Sequence, residues 1–257
     1  MPRFFMAGTN ILGGMAIMKG RDAEHVRVLR LRPGEDMIIC DGQGTDYKCR
    51  LVSADKEQVE AEVIEVVPCP AEPSVKVTVL CGLPKGDKTD YIIQKCVEAG
   101  AYEIMFFDSE RCIAKPDKPE KKLERWQRIA EEAAKQSGRG IIPQVSWAGD
   151  FTAVLDIAVK KDLGLFMYET GEREKLDDVL SANKDIATAA IITGPEGGFA
   201  QFEADLARVC KLHICSMGER ILRCETAPVV ALTAAMYATG NLSCKTGHRE
   251  KRRSLRR

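Results

Sequence analysis

Two short apolar runs near the C-terminus each end in a loop that few folds can accommodate. Residues 189–192 (AAII) run into TGPEGGF at residues 193–199, and residues 212–215 (LHIC) run into SMGERILRCETA at residues 216–227. Each run has the length and content of a buried strand, and each loop starts where that strand should stop. The first loop carries Gly194, Gly197 and Gly198, which allow positive φ and close backbone approach to a ligand, while Pro195 stiffens the turn. Two strand-end loops so close in sequence predict the two halves of a nucleotide-type pocket at one edge of a sheet. The order is not G-x-G-x-x-G and the loop lies late in the chain, which argues against a dinucleotide fold. No G-x-x-x-x-G-K-[ST] run occurs, so P-loop hydrolysis of a nucleoside triphosphate is excluded. Gly42-x-Gly44 sits between hairpin-like strands and reads as a turn.

The rest of the chain supplies the sheet. Residues 75–80, 104–107, 142–145 and 164–168 are strand candidates, alternating with a helical stripe through Ile92, Ile93, Cys96 and Val97, capped by Gly100. An amphipathic helix is predicted over residues 123–137 and a last one over 227–239, with Pro228 in its first turn. Strands alternating with helices mean an α/β domain with a largely parallel sheet. Residues 1–70 read differently, as short strands at 37–40, 47–52 and 59–67 with Gly-containing turns, which predicts a small β-barrel. There RPGE at residues 32–35 reads as a turn after the basic segment HVRVLRLR. CPAEPS at residues 69–74 reads as a linker, and the basic segment 244–257 as a disordered tail. The expected domains are therefore 1–70 and 71–243.

Bulk composition narrows the class. With 38 basic and 38 acidic side chains in 257 residues the formal charge is +0, so the chain is no general polyanion binder, although a localised basic face remains open. The start MPRFFMAG lacks the features of a signal peptide and no apolar run is long enough to span a bilayer, so a cytoplasmic location is expected, with no membrane partner. The ten cysteines are scattered without C-x-x-C spacing. Only Cys210, His213 and Cys215 resemble a metal cluster, and with no second pair to complete them no metal is expected.

GPEGGF followed by S-x-G-x-R-I-L-R-x-E-T-A resembles the bacterial 16S ribosomal RNA methyltransferases that act on nitrogen 3 of a uridine, within the knotted SPOUT class. The resemblance extends through MPRFF, HVRVLRLRPGE, KGDKTDYIIQKCVEAG and EEAAKQSGR, nearly the whole chain in order. Glu219, Met217 and Cys224 depart from that pattern, which often has proline, leucine and threonine there. The resemblance implies a PUA-like β-barrel for RNA, followed by an α/β SPOUT domain with a deep C-terminal trefoil knot, an exception to ordinary chain connection that periodicity cannot reveal. It also implies a homodimer, S-adenosylmethionine as cofactor, and 16S rRNA within the 30S subunit as partner. Carried over by position, Thr193, Gly194, Pro195, Glu196, Gly197 and Gly198 form one wall of the cofactor pocket. Ser216, Met217, Gly218, Ile221, Leu222, Arg223, Thr226 and Ala227 form the other.

Nitrogen 3 of uracil holds a weakly acidic proton whose loss must precede or accompany attack on a sulfonium methyl. Arg223 is the candidate to stabilise the resulting anion, and Glu225 or Glu196 the candidate to take the proton. A structural Arg223–Glu225 pair that only braces the loop is the competing reading. RNA contacts are expected from Arg3, His25, Arg27, Arg30, Arg32, Lys85, Lys88, Arg125, Arg128, Lys135 and Arg139, with Trp126 and Phe5 as possible stacking residues. Two other functions fit less of the sequence: methylation at another RNA position, such as a ribose 2′-hydroxyl, and RNA binding in ribosome assembly without turnover.

Overall fold

A computed structural model describes residues 1–6, 11–114 and 119–243. The basic tail and Cys244 lie outside the described residues. The N-terminal part comprises β1 (Arg3–Phe5), β2 (Ile11–Leu12), β3 (Met15–Lys19), α1 (Gly20–Val28), β4 (Asp36–Cys40), β5 (Thr45–Ala54) and β6 (Gln58–Pro68). Its strands form one sheet in the order β1-β4-β5-β6-β3-β2, antiparallel except for the β1–β4 pair. Phe4, Met18, Val26, Met37, Ile39, Leu51 and Val59 form its core. The basic segment does run into the expected turn, where Glu35 N donates to the Arg32 carbonyl at 3.0 Å, but its first residues lie in α1, which was not expected. This helix is nine residues long, has no capping side chain and carries Val26 and Val28, so its local signal is weak. Packing of Ala23 and Val26 into the core stabilises it.

After residues 69–75 come β7 (Lys76–Gly82), α2 (Lys88–Glu98), β8 (Glu103–Asp108), α3 (Pro119–Ser137), β9 (Gln144–Asp150), α4 (Phe151–Ala158) and β10 (Leu163–Met167). They are followed by β11 (Glu174–Lys175), α5 (Leu176–Ala182), β12 (Thr188–Thr193), α6 (Gln201–Val209), β13 (His213–Ser216) and α7 (Ala227–Ala238). Every strand pair in this seven-stranded sheet is parallel, in the order β11-β13-β10-β12-β7-β8-β9. The central strands are buried on both faces, which explains their unbroken apolar runs.

Successive side chains divide between two cores. Phe106 packs on Trp126 with ring centroids 4.8 Å apart, in the core shared with α2, α3, α5 and α7. Phe107 points the other way, toward Phe151 and Phe199 beneath α4 and α6. Trp126 is 2% exposed and Phe5 is also buried, so neither is available to stack on RNA.

Residues 69–74 are not a free linker. Glu72 accepts hydrogen bonds from Arg139 Nη2 (2.7 Å), Arg139 Nε (3.3 Å) and the amides of Gly140 (2.8 Å) and Ile141 (3.0 Å). Gly44 of the N-terminal sheet donates to the Gly140 carbonyl at 3.1 Å, and Cys69 donates to that of Gly44 at 2.7 Å. The two parts are thus stapled at one point, with Phe5 and Cys40 contributing to the core of the α/β part.

Candidate active site

Three adjacent parallel strands end together. β10 stops at Met167, β12 at Thr193 and β13 at Ser216, and the loops that follow enclose a cleft of about 520 Å³. That volume suits a nucleoside-sized ligand, and strand C-termini are where α/β sheets hold one. Glycine is required at two points, one in the cleft wall and one on the strand beside it. Gly198 has φ +65°, a left-handed conformation that side chains disfavour, and a Cβ on Gly82 would lie 2.6 Å from Pro195 Cδ and 2.8 Å from Pro195 N. The loop therefore packs directly on the end of β7, leaving no room for a side chain at Gly82.

Most of the sequence candidates converge here. Thr193, Gly194, Pro195, Glu196, Gly198, Ser216, Met217, Gly218, Ile221, Leu222, Arg223 and Ala227 line the cleft. Gly197 does not: its carbonyl accepts from Arg111 Nη1 at 3.1 Å, outside the lining. Thr226 faces an adjoining depression instead. Sequence reasoning missed a third wall, made by Met167, Tyr168, Glu169 and Arg173 with Phe199 at the floor. The strand over 164–168 was legible, and its C-terminal end next to β12 was the available signal.

The lining suits an adenosyl group. Met167, Tyr168, Phe199, Met217 and Leu222 supply apolar surface, and Ile221 stands 86% exposed at the rim. The amides of residues 219–222 donate no hydrogen bond within the described chain, and Gly218 N reaches only Ser216 Oγ, at 3.3 Å. Backbone donors held open beside apolar side chains are what recognition of a purine edge and ribose hydroxyls needs.

Charge gathers at the mouth. Lys88 Nζ lies 2.6 Å from Glu196 Oε1 and 3.9 Å from Glu225 Oε2, and the Lys85 amide donates to the same Glu196 oxygen at 3.0 Å. Burial works to raise the Glu196 carboxyl, but hydrogen bonds from Lys88 and the Lys85 amide outweigh it and hold it below the ordinary range. Glu225 is held low in the same way: burial opposes, but its own amide, the Cys224 thiol and the charges of Lys88 and Arg223 prevail. Lys88 is raised, chiefly by its bond to Glu196. Burial and the adjacent Glu225 push the Cys224 thiol up to about 12, so it is no nucleophile at neutral pH. Both carboxylates are ionised with a cation between them. Arg223 is exposed and forms no ion pair with Glu225 or any other described residue, which removes the loop-bracing reading. Arg220 is likewise exposed and unpaired at the rim.

The other basic candidates separate into three groups. Arg3 is partly buried in a two-pronged pair with the buried Asp46 (2.7 and 2.8 Å), and Arg139 is 3% exposed on Glu72. Both are structural, a correction to their expected role at RNA. Arg125 pairs with Asp90, Arg27 donates to the carbonyl of Asp55 at 2.7 Å, and Lys135 pairs with Glu131 at 2.6 Å. His25, Arg30, Arg32, Lys85 and Arg128 are exposed. His213 Nδ1 lies 3.0 Å from Glu174 Oε1.

Comparison with known proteins defines the class. A family model for an RNA methyltransferase domain matches residues 71–236, and one for an RNA methyltransferase PUA domain matches residues 19–64. Fold and site are therefore those of an RNA methyltransferase with a PUA-like N-terminal domain. A Bacillus subtilis protein named ribosomal RNA small subunit methyltransferase E is 37% identical over 227 residues, covering 86% of this chain and 89% of that one. A crystal structure of the protein of that name from Neisseria gonorrhoeae, bound to S-adenosyl methionine, is 31% identical. It matches with a TM-score of 0.79 over 92% of this chain and 97% of its own. A Legionella pneumophila methyltransferase with bound cofactor matches at 28% identity and TM-score 0.75, over 92% of this chain and 97% of its own. The chain belongs to the ribosomal RNA small subunit methyltransferase E family.

Proposed function

We propose that the protein transfers a methyl group from S-adenosylmethionine to nitrogen 3 of one uridine in 16S rRNA. It is an S-adenosylmethionine-dependent ribosomal RNA methyltransferase; the finer assignment to uracil nitrogen 3 is what the sequence resemblance implies, and the charge at the mouth of the cleft supports it. The observation that carries it is the juxtaposition of an unpaired Arg223 with two ionised carboxylates across the rim of the cofactor cleft.

Residues 194–196, Gly198 and residues 216–222 hold the adenosyl group by backbone and apolar contact. When bound, the cofactor supplies an electrophilic methyl carbon whose bond pair returns to sulfur as the nitrogen–carbon bond forms. The protein's work is alignment, proton removal and charge stabilisation. Glu196 is occupied by Lys88 and the Lys85 amide, whereas Glu225 has its nearest ammonium at 3.9 Å, so Glu225 is the freer base. It takes the proton of nitrogen 3 and passes it to water. The lone pair left on nitrogen 3 forms the new bond, and the Arg223 guanidinium stabilises the anionic oxygen beside it.

Residues 1–70 serve as the RNA-binding domain and 71–243 as the catalytic domain, with His25, Arg27, Arg30, Lys85, Arg125 and Arg128 as phosphate contacts. Substrate is the assembled 30S subunit, in the cytoplasm. The C-terminal part forms the deep trefoil knot that the resemblance to the SPOUT class implies, a reading supported by the packing of α7 against β7 and β12. α7 is apolar all round yet leaves Val230 and Tyr237 exposed, which supports a homodimer that covers that face.

Labelled methyl transfer to unmodified 30S subunits and to free 16S RNA, read by nucleoside mass spectrometry, tests this reading. 3-Methyluridine is expected, formed faster on 30S. A 2′-O-methylated nucleoside would overturn the target, and a monomer in sedimentation would overturn the dimer.

A further inference from the structure

Beside the cofactor cleft, and sharing Lys88 and Glu225 with it, lies a second, open depression of about 570 Å³. Its lining is Lys85, Asp87, Lys88, Tyr91, Glu225 and Thr226, brought together where α2 and α7 begin. Two features are unexplained by the fold. Tyr91 is 46% exposed on the second turn of α2, and its ring has no aromatic neighbour among the described residues. Thr226 stands at the N-cap of α7 without its hydroxyl capping the helix.

We propose that this depression is the subsite for the extruded target base, with Tyr91 as its stacking platform and Lys88, Glu225 and Thr226 as the groups that read its edge. The inference rests on the assignment of a uracil substrate made above. A base methylated within a folded RNA must leave its stack, and an exposed aromatic ring next to cations is the usual receiver. The Watson–Crick edge of uracil runs acceptor, donor, acceptor, so its reader must run donor, acceptor, donor. Lys88 Nζ has three donors and spends one on Glu196 and one on Cys224 Sγ, leaving a third for one carbonyl. Glu225, 3.9 Å away, accepts from nitrogen 3, and the Thr226 hydroxyl donates to the second carbonyl. Cytosine would set its nitrogen 3 lone pair against the Glu225 carboxylate, so the same trio rejects it. Because Glu225 borders both cavities, the nitrogen being read is the one beside the cofactor cleft. Lys88, expected from sequence to hold phosphate, is thereby assigned to the base.

The test is steady-state methylation of unmodified 30S subunits by Tyr91→Ala, Tyr91→Phe and Thr226→Val, with S-adenosylmethionine affinity measured by calorimetry. Loss of one stacked base predicts that Tyr91→Ala lowers kcat/KM for 30S roughly 5- to 150-fold, while Phe restores it to within about twofold. Thr226→Val should lower it roughly 2- to 10-fold through one lost hydrogen bond. Cofactor affinity should be unchanged in all three. Wild-type rates in Tyr91→Ala, or a parallel loss of cofactor affinity, would overturn the subsite while leaving the uridine reading intact. Absence of 3-methyluridine with the unaltered protein would overturn both.

Discussion

Lys88 sets the charge state of the active site, and its partners give that state a pH range. Glu196 is depressed below its ordinary value, so the pair's contribution is present above about pH 4.3 and is lost as pH falls through the lower folded value. Lys88 is raised, so the same contribution holds below about pH 10.4 and is lost as pH rises through the higher folded value. Between those limits neither group titrates. The rise of kcat/KM between roughly pH 6 and 9 should therefore report the uracil proton, with no break in the carboxylate range. An inflection near neutrality that disappears in Glu225→Gln would show that substrate raises that carboxyl instead. Arg223→Ala should lower kcat by about 10²–10³-fold, the cost of one transition-state donor, with little change in cofactor affinity. A rate within about threefold of wild type would remove Arg223 from the chemistry. The pocket-lining glycines and Arg223 were legible in the sequence because their roles depend on local backbone and on a contiguous loop. The true partner of Lys88 was not, because Glu196 lies 108 residues away.

Strands were easier to read than helices. The buried runs at β7, β8, β10, β12 and β13 lie in the sheet close to their expected bounds, and α2, α3 and α7 were visible from periodicity or from Pro228. α1, α4, α5 and α6 were not anticipated; none exceeds nine residues, too short for a clear stripe. Their stability comes from tertiary partners. α6, for example, has its Ala200 amide tied to the fully buried Glu203 at 2.8 Å, and that carboxylate also accepts from Glu110 at 3.2 Å. The contact between β7 and the β12 loop can be tested directly. Gly82→Ala would set a methyl 2.6 Å from Pro195 Cδ and 2.8 Å from Pro195 N, and backbone there cannot give way as a side chain could. Overpacking of that kind should cost about 1–3 kcal/mol in denaturant unfolding and weaken S-adenosylmethionine binding. Unchanged stability and affinity would mean that the loop is not braced by this strand.

Across the whole molecule, buried ion pairs join segments that sequence separates. Arg139 donates to the carbonyls of Val97 and Ala101 as well as to Glu72, so one guanidinium anchors the strap between the N-terminal sheet and the α/β part. Arg139→Ala leaves the Glu72 carboxylate without its cation and should destabilise the protein by about 3–5 kcal/mol, read as a lower Tm. RNA affinity per folded molecule should be unaffected, whereas a selective loss of RNA binding would return Arg139 to the interface. What the sequence determined by itself was the parallel sheet, its β-rich neighbour and the two loops that form a pocket, since strand period, glycine placement and turn chemistry act over a few residues. Which of the many basic side chains are free was decided only by the tertiary structure. Arg3 meets Asp46 across 43 residues, Arg139 meets Glu72 across 67, and Lys88 meets Glu196 across 108. Coulombic and hydrogen-bond partners are chosen by distance in space, and the chain encodes that distance through packing of the entire core.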